Sequence, residues 1–128
     1  MIPRHEAVSF AVHGTLPGLN EYVDANRRHR QCGAAMKKSA ETIVMQYIRV
    51  ARVQPIAGPV FVTFAWHEPD RRRDVDNVAF AKKFILDALV TAGILEGDGR
   101  KHVVGFSDKF PIDRRDPRVV VTIERTPA

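Results

Sequence analysis

Apolar and polar positions roughly alternate along residues 8–13 (VSFAVH), the pattern of a short strand. LPGLN, residues 16–20, predicts a turn-rich connection, because Pro17 and Gly18 interrupt any periodicity. The segment that follows is polar and basic. From about residue 33 to residue 53, Ala35, Met36, Ile43, Val44, Tyr47, Ile48 and Ala51 recur at near-helical spacing, with Lys37, Lys38 and Glu41 outside the stripe. That spacing predicts an amphipathic helix, ended by Pro55, Gly58 and Pro59. Residues 60–66 (VFVTFAW) are dense in β-branched and aromatic side chains, as in a central strand, and the strand should stop near Glu68 and Pro69. A second helix is expected over residues 75–92, with Val78, Ala81, Ile85, Ala88 and Leu89 on one stripe and Gly93 as its stop. Two further strands are expected at residues 103–106 and 119–124.

This order of elements implies an α/β (α+β) fold: a single compact domain over residues 1–128, a mixed sheet of about four strands and two main helices packed on it. No internal repeat or linker divides the chain, and residues 126–128 are expected to fray. Composition agrees, since 128 residues with 45% hydrophobic and 27% charged positions can bury a core without disulfides. The single cysteine, Cys32, has no partner in the chain, which fits a reducing, cytoplasmic setting. The N-terminus lacks a signal-like pattern, and the longest apolar run is far below the roughly 20 residues of a membrane helix.

Charge changes the picture. Twenty Lys and Arg against 15 Asp and Glu give a formal net charge of +5 and a pI near 9.8, as expected of a surface that meets a polyanion. The densest chemistry lies in PDRRRDVDN, residues 69–77, where Arg71, Arg72 and Arg73 abut Asp74 and Asp76 at the start of the second helix. Two neighbouring carboxylates raise each other's pKa unless a cation lies between them, so Asp-x-Asp here points to Mg²⁺ or Mn²⁺. Either aspartate could instead cap the helix. Downstream, Asp98 would complete an acidic trio if the chain folds back towards the helix start; Glu96 is a weaker candidate, and both lie in a glycine-rich segment where aspartate also serves turns. Lys83 lies seven positions after Asp76, about 20° from it around a continuous helix, and so can face the same space, whereas Lys82 is rotated away. The competing role for Lys83 is a surface pair with Asp87. His67 is read as a strand residue before a metal ligand, and Tyr22, Phe80 and Phe84 as core or interface residues.

The segment DRRRDVDN, the Lys82 and Lys83 pair, LDALVTAG at residues 86–93 and Asp98 together resemble the RusA-type Holliday junction resolvases, the crossover junction endodeoxyribonucleases. LPGLNEY, residues 16–22, is similar to that family's N-terminal proline, asparagine and tyrosine pattern. The resemblance implies a RusA-like fold and a homodimeric nuclease that makes paired nicks in four-way DNA during recombination and repair, using Mg²⁺ or Mn²⁺. It implies catalytic and metal-binding roles for Asp74, Asp76 and Asp98. The family's catalytic lysine falls on Phe80 when counted from the aspartates and on Lys83 when counted from Asp87, because the intervening helix is about one turn longer here.

On this reading the three aspartates hold one or two metal ions, Lys83 assists electrostatically, and Arg71, Arg72 and Arg73 grip phosphates, with Arg27, Arg28 and Arg30 extending the track. Two symmetric copies would match the near two-fold symmetry of a four-way junction. The competing functions are a non-catalytic junction-binding protein and a metal-dependent nucleotide phosphohydrolase.

Overall fold

A computed structural model describes residues 7–127 and contains four strands and four helices in the order β1 (Ala7–His13), α1 (Leu19–Arg28), α2 (Arg30–Val50), β2 (Val60–His67), α3 (Val75–Ala79), α4 (Lys82–Thr91), β3 (Val103–Lys109) and β4 (Arg118–Arg125). The strands form one mixed sheet in the order β1-β4-β2-β3. β4 runs antiparallel to both β1 and β2, whereas β3 runs parallel to β2 and reaches it through the α3 and α4 crossover. This is the single α+β domain that the pattern implies. No helix among the described residues is long and apolar enough to cross a membrane.

Strand alternation sets the core. Phe10 and Val12, then Val60, Val62, Phe64 and Trp66, then Val119, Val121 and Ile123 all point to one face of the sheet and are buried. Ala40, Val44 and Ile48 of α2 and Phe84, Ile85, Ala88 and Leu89 of α4 pack with them in a continuous core. Each large side chain fully buried there contributes about 1.5–3 kcal/mol from apolar transfer. Among the described residues nothing buries the opposite face, which carries a row of hydroxyls in register: Ser9 beside Thr122, Thr122 beside Thr63, and Thr63 beside Ser107. Ser9 bonds Thr122 at 2.9 Å, and Ser107 donates to Thr63 at 3.2 Å.

Several boundaries differ from expectation for physical reasons. α2 begins at Arg30, and its buried row is Gly33, Ala40, Val44 and Ile48; Ala35, Ile43 and Ala51 of the expected stripe lie exposed. The expected helix over residues 75–92 is two helices. At the join, amides bond carbonyls three residues back: Ala81 to Val78, Lys83 to Phe80 and Phe84 to Ala81. Such a tight turn eclipses side chains three apart, and Val78, Ala81 and Phe84 are all buried. Phe80 and Phe84 meet edge to face, and both rings contact Tyr22, which puts these three aromatics in the core. α4 ends as expected at Gly93, whose φ is +77°; the Ile94 amide bonds Leu89 and the Gly93 amide bonds Val90, a Schellman ending. Thr126, expected to fray, is tied to the Pro59 carbonyl by its amide and its hydroxyl.

Helix α1 was hidden by its sequence. Its N-cap, Gly18, has no side chain to offer the free amides, so the cap comes from elsewhere: Asn77 Oδ1, on α3, accepts from the Asn20 amide at 2.8 Å. The Gly18 amide in turn donates to Glu21 Oε1 at 3.2 Å. A Cβ at position 18 would lie 2.6 Å from Asn77 Oδ1. Gly18→Ala is therefore expected to lower the unfolding free energy by about 1–3 kcal/mol and Asn77→Ala by about 1–2 kcal/mol. The double variant should lose less than the sum, because both disrupt the same contact. Urea denaturation of the three variants checks this, and strict additivity would show that the two residues act separately.

Candidate functional site

At the end of β2 the chain continues through Glu68, whose amide bonds the Pro111 carbonyl at 3.1 Å and whose carbonyl accepts from Asp113 at 2.8 Å. This bridge brings the segment after β3 alongside the approach to α3. Between them lies a cleft of about 540 Å³, lined by charged Glu68, Asp70, Arg71, Arg73 and Asp74 and by apolar Val75, Val78, Phe110 and Ile112.

The three arginines have different fates. Arg73 grips Glu68 with a two-pronged contact, Nε to Oε1 at 2.9 Å and Nη2 to Oε2 at 3.0 Å. Its Nη1 donates to the Leu16 carbonyl at 3.0 Å and to Glu21 at 3.1 Å. Four donor bonds of a group that has five N–H are thus already made, and the side chain is only 23% exposed. Arg73 is an internal anchor, not the phosphate grip expected of it. Arg72 is 90% exposed, and Arg71 is also exposed. The Arg72 amide bonds Asp70 Oδ1 at 3.0 Å, an Asx-type turn that shapes the run.

Asp74 is the N-cap residue of α3, yet its side chain makes no cap hydrogen bond. Asp76, in the first turn, accepts from the Asn77 amide through Oδ1 at 2.9 Å. Both carboxylates are exposed, held in place by Arg73 just before them and by Asn77 just after. The capping role weighed for Asp74 is not the one it plays.

Asp98 lies elsewhere. Because β2 and β3 are parallel, the crossover must return to the opposite end of the sheet before β3 begins, and Asp98 sits on that return, just ahead of β3. Its partner is Lys83, Nζ to Oδ2 at 3.5 Å. Among the described residues no three His, Cys, Asp or Glu side chains are grouped to hold a metal ion, so the structure does not gather Asp74, Asp76 and Asp98 into one cluster. The tight turn at Phe80 and Ala81 also breaks the continuous helix on which the facing of Asp76 and Lys83 depended. Lys83, 58% exposed, instead bonds Asp87 at 3.1 Å as well as Asp98. Glu96 is exposed in the same connection.

A second lysine carboxylate pair went unnoticed in the sequence. Lys82 Nζ is 2.7 Å from Asp108 Oδ2, while Asp108 Oδ1 accepts from Trp66 Nε1 at 2.8 Å. The ammonium also lies 3.6 Å from the centroid of the Phe106 ring, and Lys82 is only 12% exposed. The one available signal was an aspartate, Asp108, on the strand VVGFSDK at the alternate position from Phe106, where an apolar residue is expected. Arg27, Arg28 and Arg30 lie exposed at the corner between α1 and α2, where the extended residue His29 ends one helix and caps the next by accepting from the Gln31 amide. His67 faces away from the core beside Arg118; burial and the Arg118 charge lower its pKa. Cys32 is exposed and unpaired among the described residues.

Compared with known proteins, the chain matches no protein-family model and no curated sequence.

Asp87 lies between Lys83 and Lys37, the latter at 3.3 Å. Burial by itself raises its carboxyl pKa, but hydrogen bonds from the two ammonium groups outweigh this and hold it below its ordinary value of 3.8. A folded-state value below the unfolded one stabilises the fold above the ordinary carboxylate range, and the gain disappears as pH falls through the folded value. The melting-temperature advantage of the native chain over Asp87→Asn is thus expected to be constant near neutrality and to shrink in acid below the ordinary value. An advantage that persists unchanged into strong acid would contradict this ion-pair account.

Proposed function

We propose that the protein is a Mg²⁺-dependent endonuclease that nicks four-way or otherwise branched DNA in the cytoplasm, acting as a homodimer in the manner of the RusA-type resolvases its sequence resembles. The observation that carries this reading is the pair Asp74 and Asp76, both exposed on a start of α3 that Arg73 and Asn77 hold from behind, with exposed Arg71 and Arg72 beside them. The donor set fits Mg²⁺, which keeps several waters and is commonly held by one or two carboxylates together with substrate phosphates. Asp74 and Asp76 would hold the ion, which when bound supplies an activated water and neutralises charge at the phosphodiester.

The chain's own residues do the rest. Arg71 and Arg72, with Arg27, Arg28 and Arg30 on the α1 to α2 corner, hold flanking phosphates and make affinity fall with salt. Lys83 and Asp98 act as an ion-paired unit, with Asp87 and Asp98 steadying an exposed ammonium that approaches a phosphate. Lys82 keeps Asp108 neutralised within the fold.

Purified protein incubated with a four-way junction and Mg²⁺ or Mn²⁺, beside linear duplex, tests the proposal. Junction-specific nicks are expected from the native chain, with a loss of about a hundredfold or more in Asp76→Asn and little change in DNA affinity. The absence of a three-carboxylate group among the described residues favours a second reading, a non-catalytic junction-binding protein. Tight junction binding with no nicks in either metal would select it. For the lysines, Lys83→Ala is expected to slow nicking with only the small stability loss of its Asp87 pair, and Lys82→Ala to lower the melting temperature more by leaving Asp108 half-buried without its cation; the reverse pattern would exchange their roles.

A further inference from the structure

We infer that the cleft beside Asp74 receives a single unstacked nucleobase of branched DNA, a role that rests on the nuclease reading above. Its volume of about 540 Å³ lies within the roughly 300–1,000 Å³ range of small-ligand sites. The floor is apolar: Val78 is buried and Phe110 is packed against the core. The walls are apolar side chains that the fold leaves uncovered, Val75 at 56% exposure and Ile112 at 41%. Ile112 is held there by its bridge to Glu68, so the shape is built by the sheet and not by a free loop.

Charge decides what fits. Glu68, Asp70 and Asp74 face the cleft against Arg71 and Arg73. Arg73 is already committed to Glu68 and Glu21, which leaves exposed Arg71 as the lining cation set against Asp70 and Asp74, so the apolar interior itself offers little to a phosphate. A neutral, flat, apolar-faced ring meets no such penalty. Arg71 and Arg72, exposed beside the cleft, suit the phosphates on either side of the extruded nucleotide. Asp74 belongs both to the cleft and to the carboxylate pair, so a base seated there tethers its own backbone at the reactive residues. Extruding a base costs least where it is already unpaired, which makes the cleft a detector of branch points and bulges.

Fluorescence anisotropy tests this with two labelled duplexes in Ca²⁺, one carrying a single-nucleotide adenine bulge and the other an abasic site at the same bulge. The native chain is expected to bind the adenine bulge about tenfold more tightly, the change for one base moved onto apolar side chains. Ile112→Ser is expected to cut that ratio to about threefold or less, with affinity for the abasic bulge and melting temperature unchanged. Ile112→Thr, which keeps the β-branched shape at the Glu68 bridge but makes the exposed wall polar, should give the same result and serves if the serine variant melts early. Equal affinity of the native chain for the two bulges, with the four-way junction still bound, overturns the cleft alone. Binding of neither bulge nor junction overturns the nuclease reading with it, and an unchanged ratio in both Ile112 variants removes the base from this cleft.

Discussion

Arg73 joins three parts of the chain that are far apart in sequence: the end of β2 through Glu68, the turn before α1 through the Leu16 carbonyl, and the first turn of α1 through Glu21. A guanidinium suits this task because its donors form a rigid planar fork, so satisfying one carboxylate in two-pronged fashion fixes where the remaining N–H groups point. Glu21 then holds the Gly18 amide, and Asn77 holds the Asn20 amide. The start of α3 cannot move without disturbing the start of α1. Exposed carboxylates on an otherwise short helix of five residues thereby acquire a fixed position that local hydrogen bonding alone would not provide.

The parallel pairing of β2 with β3 is the second constraint. A parallel neighbour requires a crossover back along the sheet, so residues on either side of that crossover are delivered to opposite ends. Asp74 leaves from one end and Asp98 arrives at the other, even though only 24 positions separate them. An antiparallel return would have placed them together. The same crossover contains the tight turn at Phe80 and Ala81, which resets the phase of α4 and gives adjacent lysines different surroundings: Lys82 lies against Phe106 and Asp108, and Lys83 faces solvent with Asp87 and Asp98.

Periodicity made the strands, α2 and α4 legible, because each buries a regular stripe; residues 60–66 and the stripe from Val78 to Leu89 were readable for that reason. Helix α1 was not, since it has only Ala25 buried and its cap comes from a residue 57 positions away. The break between α3 and α4 left no trace because Val78, Ala81 and Phe84 suit a helix of either pitch. The acidic pair at Asp74 and Asp76 stood out from its spacing, but the separation of Asp98 from it depends on strand direction, which no local pattern encodes. Nor could the run Arg71, Arg72, Arg73 reveal which member turns inward. That depends on Glu68 and Glu21, and their positions are products of the fold.

The hydroxyl row across the open face of the sheet has a consequence for solvation. Ser9 with Thr122, and Thr63 with Ser107, already satisfy one hydroxyl hydrogen per pair within the sheet, so water is needed for only the other. The same face carries His13, His67, Arg118 and Glu124 in register, so removing water from it would strand polar and charged groups even where the hydroxyls are satisfied. That face is built to stay wet, with the folding energy concentrated on the side where the helices lie.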